Sequence, residues 1–170
     1  MFHEDFDEYN TVIMLDTDMF IRKGMTENIL DVTGLGMHTF FQTNLFRDFG
    51  KKYPKYYNPD YPFWGGAIYK TDLDTRKLFR ENIREEDLMG LKNTSWLDEA
   101  IMHRIATLAK YKPDTPYLPG EFKWCHCSYR RGIESSAMIH VRTRIMDNRK
   151  SPKRTKYENY KLLVERGLLE

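Results

Sequence analysis

The chain has 170 residues, with 27 Lys and Arg against 25 Asp and Glu, a formal net charge of +2, and 14% aromatic content. This length predicts one domain with its own core, and the aromatic content excludes a disordered chain. No apolar run approaches the roughly 20 residues of a membrane span, the acidic opening is not a signal peptide, and Cys125 and Cys127 stand too close for an ordinary disulfide, which together predict a cytoplasmic or otherwise reducing compartment.

Charge is unevenly spread. Residues 1–18 carry six acids and no Lys or Arg, whereas residues 123–156 carry ten bases and two acids. Such a basic tract suits a phosphate-bearing small molecule as well as a nucleic acid; the expectation here is a small molecule, with no nucleic-acid partner.

In chain order, T-V-I-M-L (11–15) reads as a short buried strand that ends in acids. Gly24 interrupts the chain before a short helix over 25–31, and residues 39–46 fit either a helix or a strand. Breakers from Gly50 to Gly66 mark a loop, and A-I-Y (67–69) starts a strand. Thr71 and Asp74 have capping-box spacing for a helix over about 72–86, and Ser95 and Asp98 repeat it for a second helix with Leu97, Ala100, Ile101, Ile105 and Leu108 on one face. A short strand at 115–118, a strand through K-W-C-H-C, and a buried strand S-A-M-I-H-V (136–141) follow. Ser151-Pro152 opens a last helix, with Pro at the first helical position. Alternating strands and helices predict an α/β fold with a mixed, mainly parallel sheet and flanking helices. The expected division is a catalytic region over 1–150 and a carboxyl-terminal helix over 151–170 packed on it.

Three Asp-x-Asp pairs occur, at 5/7, 16/18 and 72/74. The first lies in a polar leader and the third where helix-capping acids belong. Only Asp16 and Asp18 end an apolar strand, and in an α/β sheet that end faces the ligand crevice. Two carboxylates two residues apart on extended chain point the same way and can share a divalent cation; without one they repel and raise each other's pKa. A plain turn or capping role is the alternative. Cys125-His126-Cys127 is not a zinc site, because adjacent ligands cannot wrap one tetrahedral ion and no second cluster completes it.

The segment Y-N-T-V-I-M-L-D-T-D-M-F-I (9–21) resembles the strand and D-x-D motif of glycosyltransferases of the GT-A fold. F-W-G-G-A-I-Y (63–69) is similar to that family's segment near donor sugar and acceptor. W-L-D-E-A-I-M (96–102) is similar to the helix start of its retaining, glycogenin-like and galactomannan-galactosyltransferase-like groups, and M-I-H-V (138–141) to a late strand whose histidine is a metal ligand. The resemblance implies Asp16, Asp18 and His140 as ligands of manganese or magnesium, and Thr17, Arg142 and Arg144 at the diphosphate of a nucleotide sugar. It also implies Tyr61, Trp64, Gly65 and Gly66 near the sugar or acceptor. Asp98 or Glu99 would lie by donor or acceptor, as general base if the mechanism inverts; the helix motif itself favours retention. For Asp98 the alternative is helix capping, for His140 packing at a strand end, and for the two arginines a solvated surface.

Several positions depart from the family pattern. Trp64-Gly65-Gly66 replaces Asn-Ala-Gly, Glu99 replaces Gln, and the H-F-x-G-x-x-K text is H-V-R-T-R. Only 15 residues precede Asp16, where the family places the strands that hold base and ribose. The expectation is therefore a carboxyl-terminal part of the fold, completed by an upstream segment or second chain, or a different mode of base recognition.

The activity implied is metal-dependent transfer of a sugar from a nucleoside-diphosphate sugar to an acceptor hydroxyl, on a glycan. Two alternatives stand beside it. One is a non-catalytic carbohydrate-binding or assembly subunit of the same fold. The other is an aspartate-nucleophile phosphatase of the haloacid dehalogenase-like fold, whose first motif is also D-x-D after a strand; it needs a later acidic pair, where this chain offers His140 and arginines.

Overall fold

The computed structural model describes residues 1–37, 42–94, 97–118, 124–127, 132–143 and 154–170. They form two compact units: Met1–Met14 with Gly34–Leu118, and Leu15–Thr33 with Pro119–Glu170. The carboxyl-terminal helix belongs to the second unit.

In the first unit, β1 (Thr11–Leu15), β4 (Gly65–Asp72) and β3 (Gly36–Met37) form one sheet in the order β1-β4-β3. β3 and β4 are antiparallel, with Gly36 opposite Tyr69. β1 is not the buried strand its apolar run suggests: its three central residues are half-buried and Leu15 is 39% exposed. Helices α1 (Gln42–Lys52), α2 (Leu73–Glu81), α3 (Glu85–Leu91) and α4 (Leu97–Leu108) accompany this sheet. Residues 42–46 of the ambiguous run are thus helical, and 39–41 lie outside the described residues.

The cap of α2 is Asp72, whose carboxylate accepts the Thr75 N–H at 2.7 Å. Thr71 instead finishes the strand, where its buried hydroxyl donates to the Val12 carbonyl at 3.4 Å. The single helix expected over 72–86 is two, because Asn82 ends the first: its N–H turns back to Phe79 and its side chain donates to the Leu78 carbonyl at 2.8 Å. Of the face expected on α4, Ala100 and Ile105 are buried, Ile101 and Leu108 are half-buried and Leu97 is 39% exposed, while Met102, His103 and Ala106 are buried beside them, so the buried face is turned from the expected one; Ser95 and Trp96 lie outside the described residues.

One core of this unit gathers Leu35, Trp64, Tyr69, Phe79, Met102, Ile105 and Ala106. Gly36 has to be glycine here, since a Cβ would sit 2.7 Å from the Trp64 ring. A second cluster, Phe49, Phe63, Leu91 and Ala100, collects Tyr53, Tyr56 and Tyr57 against it. The amino-terminal segment is clasped by the fully buried Arg76, which donates to the carbonyls of Thr71 and Phe6 at 3.0 Å each and to that of Tyr9. Arg80 adds a forked pair to Asp7 at 2.8 and 3.1 Å, so one member of the first Asp-x-Asp pair has a structural partner.

In the second unit, β2 (Met19–Ile21), β6 (Met138–His140) and β5 (Cys125–Cys127) form a sheet in the order β2-β6-β5. β2 runs antiparallel to β6, with Met19 opposite His140, and β5 runs parallel to it. The sheets are therefore small and mixed, not mainly parallel: of the β2–β6, β3–β4 and β5–β6 pairs only the last is parallel. The reason is a turn at Asp16–Met19, closed by the Met19 N–H on the Asp16 carbonyl at 3.0 Å, from which β2 starts as a separate strand. The short helix expected over 25–31 is a single 3-10 turn, Ile29–Asp31.

Helix α5 (Lys156–Glu165) starts later than Ser151-Pro152 suggests. Its cap is Thr155, in a capping box with Glu158; residues 151–153 lie outside the described residues. Ile133, Ile139, Val141, Leu163 and Leu169 form this unit's core. Among the described residues no helix is long and apolar enough to cross a membrane.

Candidate metal centre

The turn after β1 does what strand alternation alone does not. It carries Asp16 and Asp18 on either side of Thr17 and delivers Met19 into register with His140, the last residue of β6. The Val141 N–H then bonds the Asp18 carbonyl at 2.9 Å, so the end of β6 is tied to the acid pair through the backbone. Asn159 of α5, itself fully buried, donates from its side chain to the Arg142 carbonyl at 2.6 Å and fixes the segment leaving β6.

As a result, one ligand atom from each of Asp16, Asp18 and His140 lies within 4.8 Å of the others. His140 Nε2 is 2.9 Å from Asp18 Oδ1 and 3.7 Å from Asp16 Oδ2. An octahedral ion with ligands at about 2.1 Å spaces neighbouring donors by about 3 Å, so these separations suit a single small cation. Their side-chain exposures, 37% for Asp16, 14% for Asp18 and 9% for His140, leave the centre open on the Asp16 side.

Burial is the largest influence on His140 and lowers its pKa; Arg142 and Lys156 add to that, and the charge of Asp18 opposes it without overcoming it. The imidazole is accordingly held neutral more firmly than a free one, which is the form that ligates metals. For Asp18, burial works upward, but the hydrogen bond from Lys156 and the charges of His140 and Lys156 outweigh it, and the carboxyl ends below its ordinary value. Nε2 also faces Arg142 Nη1 at 3.2 Å. A neutral ring nitrogen cannot donate to a carboxylate and accept from a guanidinium at once. A cation resolves that conflict, since Nε2 would then present only its lone pair.

A fourth group completes the centre. Lys156, the first residue of α5, places its ammonium on Asp18 Oδ2. Nothing in the sequence pointed to it, since it lies 138 residues from its partner and looks like any lysine in a first helical turn. Thr17 is exposed and lines, with Asp18 and Lys156, a cleft of about 410 Å³ whose other walls are Phe20, Val141, Tyr157 and Tyr160. Arg142 is exposed, and Arg144 lies outside the described residues.

The remaining candidates belong to the first unit. Trp64 is fully buried, with its ring in the core and its N–H donated to the Pro116 carbonyl at 2.6 Å, so it presents no face to a sugar. Gly65 is buried and begins β4, with Gly66 next in the same strand. Tyr61 is half-buried, with the Lys112 ammonium 4.6 Å over its ring. Asp98 is exposed and Glu99 half-buried in the first turn of α4, where carboxylates favour the helix dipole.

No family model matches the chain, and no curated protein matches it.

Proposed function

We propose that the chain is a metal-dependent glycosyltransferase that moves a sugar from a nucleoside-diphosphate sugar to an acceptor hydroxyl on a glycan. The observation that carries this reading is the convergence of Asp16, Asp18 and His140 on one small volume beside an open cleft. Carboxylate oxygens suit magnesium and manganese, and the imidazole tilts the set toward manganese. A bound divalent ion neutralises a leaving diphosphate as its bond to the sugar breaks.

The chain's own residues supply the rest. Asp16 and Asp18 hold the ion, and buried His140 fixes its position from the strand end. Arg142 meets phosphate oxygens with forked hydrogen bonds, a role the resemblance also gives Arg144, and Thr17 offers a hydroxyl from the turn. The order of motifs resembling the GT-A family supports the same assignment, in a fold whose sheets are smaller and less parallel than that resemblance implies. The buried Cys125, whose thiol donates to the Met19 sulfur at 3.7 Å, goes with a reducing compartment. An aspartate-nucleophile phosphatase has no use for a histidine against both acids, which counts against that alternative.

The test is release of nucleoside diphosphate from a panel of nucleotide sugars by the full chain, with manganese, with magnesium and with chelator. Metal-dependent release that is lost in Asp18→Asn is the expected result. Absence of donor turnover in every metal, or full turnover by Asp18→Asn, removes the transferase reading.

A further inference from the structure

Both oxygens of Asp18 are engaged: Oδ1 by His140 Nε2 at 2.9 Å and Oδ2 by the Lys156 ammonium. The lysine's backbone is fixed, because the Thr155–Glu158 capping box sets the start of α5 and Asn159 ties that helix to the Arg142 carbonyl. Its side chain is not confined, being 54% exposed, whereas that of Asp18 is 14% exposed. A flexible four-carbon stem on a fixed base can swing without refolding anything around it.

A divalent cation held at Asp18 Oδ1 beside His140 would stand on the same carboxylate as the Lys156 ammonium on Oδ2, and two cations that close repel. Charge balance points the same way. With His140 neutral, the two carboxylates are matched by Lys156 and Arg142. A divalent cation added to that set leaves two surplus positive charges beside the cleft of about 410 Å³ lined by Thr17, Phe20, Val141, Tyr157 and Tyr160. That volume is in the range of small-molecule sites, and the surplus is what a phosphate-bearing ligand neutralises.

We propose that Lys156 is an internal counter-ion: it occupies Asp18 in the cation-free protein, is exchanged for the divalent cation, and then binds the anionic part of the ligand in the adjoining cleft. No proton is gained or lost in the exchange; the ammonium only changes partners. This inference rests on the metal-site reading above and adds an ordering to it. Lys156 weakens binding of the cation alone and strengthens binding of an anion once the cation is in place, so a single substitution moves the two affinities in opposite directions. A lysine that merely stabilises α5 does not do that.

The experiment uses the full chain, its Lys156→Met variant, which keeps the stem and removes the charge, and its Lys156→Arg variant, which keeps the charge. Free Mn2+ is followed by its paramagnetic resonance signal, and inorganic pyrophosphate is then titrated into each protein at the same saturating free Mn2+. Removing a half-exposed ion pair changes an affinity by about fivefold, so Lys156→Met is expected to bind Mn2+ alone about fivefold more tightly. Losing a charge-assisted hydrogen bond costs about tenfold, so its pyrophosphate affinity is expected to fall about tenfold. Lys156→Arg should stay within about twofold of wild type for Mn2+. Unchanged or weaker Mn2+ binding in Lys156→Met overturns the exchange while the metal site stands. Weakening of both affinities, or an Arg variant that behaves like Met, overturns it as well. A wild-type chain that takes up no Mn2+ at all overturns both the exchange and the metal site.

Discussion

At the scale of single residues, the histidines buried among the described residues, His140 and His103, have different surroundings. His140 faces carboxylates; His103, fully buried in the first unit, faces backbone. Its Nε2 accepts the Asn58 N–H at 3.1 Å and its Nδ1 lies 2.9 Å from the Pro62 carbonyl, which fixes a neutral ring with the proton on Nδ1. The rings of Phe49, Tyr57 and Phe63 surround it with centroids 5.4–6.4 Å away. Burial is the main cause that pushes its pKa below the ordinary 6.5, with Arg104 adding to it and the Pro62 carbonyl opposing. The unfolded chain then binds a proton that the folded chain refuses. Stability from this source is therefore complete above about pH 6.5 and is lost as pH falls from there through the lower folded value, because protonation destroys the acceptor for Asn58. Denaturant unfolding between pH 7.5 and pH 5 checks this: the wild type should lose stability on acidification, and His103→Leu should show a shallower slope. His140 keeps part of the slope, since its shift has the same sign. The variant should also start lower by about 1 kcal/mol, the net worth of the hydrogen bond lost at the half-buried Asn58 N–H. An equal slope in both proteins would show that His103 titrates normally in the fold.

The elements show which local signals are reliable and which are not. A strand followed by acids, a stripe at helical spacing in 97–108, and an apolar run ending in His140 were all legible, because each is fixed by neighbours in sequence. The Asp16, Asp18 and His140 set was legible through those elements together with the family resemblance. Where two capping signals compete, the sequence does not choose. Thr71 and Asp72 both precede α2, and the strand claims the first; Ser151-Pro152 and Thr155 both precede α5, and the helix starts after the second. Strand direction was not legible either, since apolar alternation carries no label for its partner. The Thr155 capping box gives this scale its prediction. Thr155→Ala removes the hydroxyl that accepts the Glu158 N–H at 3.2 Å, at a cost of about 1 kcal/mol. It also frees the first turn of α5, which carries Lys156. The expected outcome is a lower unfolding free energy in denaturant, with Mn2+ binding tightened in the same direction as in Lys156→Met but by less. Gly34 offers a second test at this scale. Its φ is +109° and a Cβ there would meet the Tyr117 carbonyl oxygen at 2.4 Å. Backbone cannot step aside as a side-chain tip does, so Gly34→Ala should destabilise by at least about 1–3 kcal/mol, the cost of such backbone strain. Thermal unfolding measures it, and an unchanged midpoint would remove the argument.

For the molecule as a whole, the division into two units was the least legible feature, because the second unit is discontinuous in sequence. Residues 15–33 join residues 119–170, and the segment between them folds on its own core. A reading that moves along the chain sees one succession of strands and helices and places a boundary near the end. The division has a consequence for how a bound ion acts, because Asp16, Asp18, His140 and Lys156 all belong to the second unit. A ligand that binds only the folded form stabilises it by mass action, by about 2.7 kcal/mol at a free concentration one hundred times its dissociation constant. Amides of β2, β6 and α5 that exchange by unfolding of the second unit should then exchange about one hundred times more slowly with Mn2+. Amides of α2 and α4 that open without unfolding the second unit should keep their rates. Hydrogen exchange read by mass spectrometry on the full chain, with Mn2+ and with chelator, separates the two groups. Asp18→Asn should abolish the slowing in the second unit and leave α2 and α4 as they were. Equal slowing in both groups would mean that the ion stabilises one cooperative fold, and slowing that survives Asp18→Asn would place the ion somewhere other than between the two aspartates.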